Sequence, residues 1–256
     1  MKSKKIDDIV KEAIDEKVTK LELFNMGLTQ LPDYIQDLKS LKVLHLENNH
    51  FTSFPEVITQ LPNLEVLSLE YNQVMSLPKE VGFLKGLKSL NLADNSINNL
   101  SNTIGEFIEL EFLDLRVNHL SQLPDEVGKL HNLEILYLGR NELSEVPEVI
   151  KRLNNLKDLG LGGNKIEIIP QWISQLHQLK YLSFGRNNIS EIPDKIELLT
   201  TLEHLILRDN KLNSFPYILK KLPHLTLLDL RTNIFPDKNN VLTNVHSPED
   251  IFVSYS

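Results

Sequence analysis

Apolar residues return along this chain at a fixed interval. Leu41, Leu64, Leu87, Leu110, Leu133, Leu156, Leu179, Leu202 and Leu225 fall 23 residues apart with no insertion, and Val18 stands one interval earlier. Three places further on, every unit from Leu21 to Leu228 carries leucine, and five places on only Phe184 departs from it. Eight places on stands asparagine, from Asn49 to Asn233, with Met26 in its place in the first unit. The unit reads Leu-x-x-Leu-x-Leu-x-x-Asn-x-Leu-x-x-Leu-Pro-x-x-Ile-x-x-Leu-x-x. A strict period of this length marks a stacked repeat array. Strand side chains alternate, so Leu159 and Leu161 point inward while positions 158, 160 and 162 point outward. Each unit therefore predicts one short strand, and successive strands stack in parallel.

The other fixed positions follow from the same geometry. An asparagine side chain offers both donors and an acceptor, so a buried one satisfies backbone groups where the chain leaves the strand. Proline at 32, 55, 78, 124, 147, 170, 193 and 216 suits a return leg that needs no ladder hydrogen bond, and Ser101 is the exception. Ile or Val at 35, 58, 81, 104, 127, 150, 173 and 196, with Leu219, covers the core from the return side. Closely spaced strands and bulkier return legs make such an array curve with the strands inside.

These motifs resemble the leucine-rich repeat family, in its 23-residue intracellular type, found in Ras-pathway scaffolds, plant Ras-group-related proteins and many bacterial proteins. The resemblance covers residues 18–235, about ten repeats. It implies an α/β solenoid with a right-handed parallel β-sheet on the concave face and proline-containing loops and short helical turns on the convex face. It also implies a non-enzymatic recognition module or scaffold that binds a partner protein on the concave face.

The ends are expected to cover the array. Residues 1–17 hold Ile6, Ile9, Val10, Ala13 and Ile14 at spacings of three and four, with Val18 next, the mark of an amphipathic helix that caps the first repeat. Residues 236–256 read as a C-terminal capping segment, with Ser247 as N-cap and Pro248 at the first helical position. The alternative is the start of a truncated following domain, because "EDIFVSYS" resembles the first strand of a TIR domain. The chain would then be the sensor arm of a larger TIR- or GTPase-linked signalling protein. A bacterial effector acting in a host cell is a further alternative.

Composition narrows the chemistry. The 256 residues include no cysteine, which removes disulfides, cysteine nucleophiles and thiolate metal sites. Leucine-rich repeat ligases use a catalytic cysteine, so that enzyme class does not fit. No stretch approaches a membrane span, and a net charge of −8 argues against nucleic acid as the main partner. The glycine-rich "GLGGNK" lacks the Lys-[Ser/Thr] pair of a phosphate loop. No histidines stack in adjacent units, and no serine, histidine and acid converge in a column. The expectation is no enzyme activity, no cofactor and no metal, in a monomer that is cytoplasmic or delivered to a host cytoplasm.

Function is then sought in the outward-facing columns. Apolar or aromatic residues stand there at Phe112, Ile135, Tyr137, Tyr181 and Ile206, where solubility alone favours polar ones. Arginines gather in the later units at Arg116, Arg140, Arg186, Arg208 and Arg231, against acids at Glu47, Glu70 and Asp94 in the earlier ones. Asp114, Asp158 and His204 complete the set. Arginine forks suit carboxylates, so a protein partner with an acidic patch is expected. Gly160 and Gly162 suggest a shallow seat between Tyr137 and Tyr181 that a partner side chain fills. On that reading, threonine at both would leave the fold at least as stable. The stacked Glu47 and Glu70 call for a basic partner, a weak cation or solvation to separate them.

Overall fold

The computed structural model describes residues 5–235 and 252–254, and the chain divides into two compact units, Met1–Leu133 and Glu134–Ser256. In the first unit β1 (Lys20–Glu22), β2 (Val43–His45), β3 (Val66–Ser68), β4 (Ser89–Asn91) and β5 (Phe112–Asp114) lie in chain order. They pair in parallel with Leu21, Leu44, Leu67, Leu90 and Leu113 in register. In the second unit β6 (Ile135–Tyr137), β7 (Asp158–Gly160), β8 (Tyr181–Ser183), β9 (His204–Ile206) and β10 (Leu227–Asp229) repeat the arrangement. A last strand, β11 (Phe252–Ser254), pairs in parallel with β10. The C-terminal capping helix expected from Ser247 lies outside the described residues.

The middle leucine of each of β1 to β10 is buried, as alternation requires, and so is the leucine or Phe184 two places on. Phe184 fills the slot that a leucine takes in every other unit, and it is fully buried.

Each return leg makes a short 3-10 turn of five residues, for example Asp33–Asp37 and Gln171–Gln175. Proline opens these turns because its carbonyl is needed and its missing N–H is not. The Pro32 carbonyl accepts from the Ile35 N–H at 3.0 Å, and Pro170 does the same for Ile173 at 3.0 Å. Where Ser101 replaces proline, its hydroxyl accepts from the Thr103 N–H at 3.4 Å, so one capping device substitutes for another.

The asparagine column ties unit to unit as well as closing its own turn. Asn118 Nδ2 donates to the Leu115 carbonyl at 3.1 Å and, in the preceding repeat, to the Leu92 carbonyl at 2.9 Å. Its Oδ1 accepts from the Ile97 N–H at 2.9 Å. Asn187 repeats all three bonds with Phe184, Leu161 and Ile166. The bridge between repeats goes beyond what one unit of sequence predicts.

A second column is invisible in the repeat consensus. The residue before each ladder position has left-handed backbone: Asn25, Asn48, Tyr71, Asp94, Val117, Arg140, Arg186, Asp209 and Thr232 lie at φ 51–60°, and Gly163 at 74°. Glycine takes this conformation freely, whereas a β-branched residue such as Val117 is strained in it. The turn that leaves the strand therefore fixes how Arg140 and Arg186 are presented.

At the N-terminus, α1 (Ile6–Asp15) buries Val10 and Ala13. Tyr34, in the first return leg, donates a hydrogen bond from its hydroxyl to Asp7 on this helix.

Candidate partner-binding face

Register places the outward residues of the second unit in two columns. One runs Ile135, Asp158, Tyr181, His204, Leu227, and the other Tyr137, Gly160, Ser183, Ile206, Asp229. Parallel strands bring column neighbours to about 4.8 Å. Tyr181 and His204 accordingly meet edge to face, with centroids 4.3 Å apart, and Tyr181 remains 40% exposed. Ile135, Ile206 and His204 are half-buried.

Tyr137 crosses to the next strand. Its hydroxyl donates to Asp158 Oδ2 at 2.7 Å, and its ring covers Gly160, where an added Cβ would lie 2.9 Å from Tyr137 Cδ1. At Gly162 an added Cβ would lie 3.0 Å from the Gly185 carbonyl oxygen. A side chain at Gly160 requires the Tyr137 ring to shift, and one at Gly162 presses on the Gly185 carbonyl. The open seat expected at Gly160 is corrected by the Tyr137 ring, which fills it. A side chain that folds diagonally over its neighbour leaves no trace in column spacing.

The arginines differ among themselves. Arg231 binds Asp229 through two side-chain bonds of 2.9 and 2.7 Å. Burial pushes the Asp229 carboxyl up, but the bonds from the Arg231 guanidinium and N–H and its charge outweigh that and leave it below the usual carboxylate range. Arg186 and Arg208 share Asp209 more loosely, at 3.6 and 4.0 Å. Arg140 is exposed and has no ion pair among the described residues. Arg140, Arg186 and Arg208 are thus held less firmly than Arg231, although Asp229 also feels the charge of Arg208.

In the first unit Phe112 is half-buried on β5. Asp114 is 1% exposed and grips Arg116, whose Nε lies 3.0 Å from Oδ1 and 2.9 Å from Oδ2. The Glu47 and Glu70 pair is answered from within only in part, since Glu47 Oε2 is buried without a hydrogen-bond partner among the described residues. His45 Nδ1 lies 2.6 Å from Glu47 Oε1, and Asn91 Nδ2 donates to Glu70 Oε2 at 2.9 Å. Among the described residues no group of three or more His, Asp and Glu is placed to hold a metal, and no helix is long and apolar enough to cross a membrane.

Two family models match the chain: "Leucine-rich repeat region" over residues 94–176 and "Leucine rich repeat" over residues 16–74. No curated protein matches it significantly. Among solved structures, a leucine-rich repeat protein of Leptospira interrogans is 32% identical with a TM-score of 0.84, over 95% of this chain and 68% of that one. The plant peptide hormone receptor RGFR1, solved in complex with RGF2, is 27% identical with a TM-score of 0.74, over 96% of this chain but only 41% of the receptor. Internalin C2 of Listeria monocytogenes shares the fold at 24% identity and a TM-score of 0.66, over 79% of this chain and 84% of that one. With its asparagine column, parallel strands and proline-started turns, and with this identity along nearly its whole length, the chain belongs to the leucine-rich repeat proteins.

Proposed function

We propose that this chain is a non-enzymatic recognition module whose sheet face in the Glu134–Ser256 unit captures a partner protein through an acidic patch. One observation carries the reading: Arg140 makes no ion pair among the described residues, and Arg186 and Arg208 have only the long contacts to Asp209, at 3.6 and 4.0 Å. Guanidinium forks left without carboxylates are positioned to take them from a partner. Tyr181, edge to face with His204 and partly exposed, supplies an aromatic anchor beside them. Ile135, Ile206 and the Tyr137–Asp158 pair complete the surface, with Gly160 and Gly162 keeping it low. Phe112, Asp114 and Arg116 belong to the other unit, and Asp114 already answers Arg116. The receptor RGFR1, solved with RGF2, supports a protein or peptide as the kind of ligand. Residues 1–17 serve to cover the first repeat, and the module works as a monomer in a cytoplasm, its own or a host's.

The test is capture from an extract of the source cells by the wild-type chain and by the Arg140→Glu, Arg186→Glu, Arg208→Glu variant. The reading expects a protein with an acidic surface retained by the first and lost by the second. Equal retention by both would overturn it.

A further inference from the structure

Away from the strands, a groove of about 400 Å³ opens on the return legs of the second unit. Val146, Ile168, Pro170 and Trp172 give it apolar walls, and Glu145, Glu148 and Glu167 also line it. One of these residues breaks the repeat. Twelve places after each unit's first position the chain has Gln30, Ser53, Ser76, Asn99, Gln122, Glu145, Glu191 and Ser214, all polar, with Ile168 as the exception. Ile168 is also 74% exposed, so the core does not explain it. Trp172 is the one tryptophan of the chain and stands in the same repeat. Ile168 and Trp172 line the same groove.

The charges say what the groove accepts. Lys151 Nζ holds Glu148 at 2.6 Å, whereas Glu145 and Glu167 have no ion pair among the described residues. We infer that this groove docks a basic segment of a partner protein, an arginine or lysine whose methylenes lie against Trp172 and Ile168 and whose cationic head reaches Glu145 or Glu167. Tryptophan is the preferred aromatic platform for such a cation, and long basic side chains cover apolar surface with their stems. The sheet face of the same unit has the opposite preference, so this surface stands independently of the proposed function.

Because Trp172 is the one tryptophan, its emission reports the groove directly. An acetylated tetra-arginine peptide is titrated against the full chain, with tetra-glutamate and tetra-serine peptides as controls. Expected is a saturable change in emission with tetra-arginine alone. Glu145→Gln with Glu167→Gln should weaken the affinity roughly tenfold, and Ile168→Ser should weaken it several-fold by removing apolar wall. Glu47→Gln with Glu70→Gln, which changes net charge equally in the other unit, should leave it within about twofold. Absence of a saturable change, an equal response to either control peptide, or equal weakening by the two double variants would each overturn the inference. Far-UV circular dichroism confirms that the variants compared are folded.

Discussion

Replacing Asn118 by alanine perturbs the fold where its repeats are tied together. The side chain makes three buried bonds, to the Leu92 and Leu115 carbonyls and from the Ile97 N–H, at 2.9, 3.1 and 2.9 Å. Two of them bridge to the preceding repeat, so the loss weakens an interface between repeats, the term on which stacked repeats depend. Water cannot replace the partners readily, since Asn118 is 5% exposed. At about 1–3 kcal/mol for each buried group left unpaired, and less where a carbonyl keeps another donor, the cost comes to about 3–5 kcal/mol. A chain of this size converts 1 kcal/mol into about 2–4 °C, so the melting temperature should fall by about 10 °C. Asn99→Ala, an exposed asparagine of the same unit, is the control and should stay within about 0.5 kcal/mol. Thermal and urea unfolding followed by far-UV circular dichroism measure both. An Asn118→Ala protein as stable as the Asn99→Ala control would refute the ladder as a source of stability.

Other perturbations test separate parts of the account. Val117→Asn should raise stability by about 1 kcal/mol, because Val117 sits at φ 54° and asparagine tolerates left-handed backbone; an unchanged or lower melting temperature would contradict this. Gly162→Thr should destabilise by about 1–3 kcal/mol, since its Cβ would press on the Gly185 carbonyl, and a neutral melt would show that the backbone yields there. Asp229 contributes through its bond to Arg231, which holds its carboxyl below the unfolded value. That contribution is complete above the ordinary carboxylate range and is lost as pH falls through the lowered folded-state value. Asp229→Asn should therefore flatten the acid limb of the stability curve, and an unchanged acid limb would count against the pair.

The repeat made the fold legible because one physical demand recurs in every unit: bury two leucines, satisfy one turn, return. Leu159, Leu161 and Asn164 stand where alternation and spacing put them. What spacing hides is conformation and diagonal contact. The left-handed position before each ladder residue carries Asn25, Asn48, Asp94, Gly163 and Asp209, types that take this backbone readily, but also Tyr71, Val117 and Arg186, so its compositional mark is diluted. Tyr137 reaches across to Asp158 and covers Gly160, which turned an apparent vacancy into a packed contact. The Trp172 groove had a readable signal, since Ile168 breaks an otherwise polar column, but the signal lies on the return legs rather than among the strand positions.

The sheet face as the docking surface is tested most directly by hydrogen–deuterium exchange of the chain, free and bound to the captured acidic partner. The account predicts new protection concentrated at the strands and strand exits of the second unit, residues 135–140, 158–163, 181–186 and 204–209. Protection confined to the return legs, or to the Met1–Leu133 unit, would contradict it.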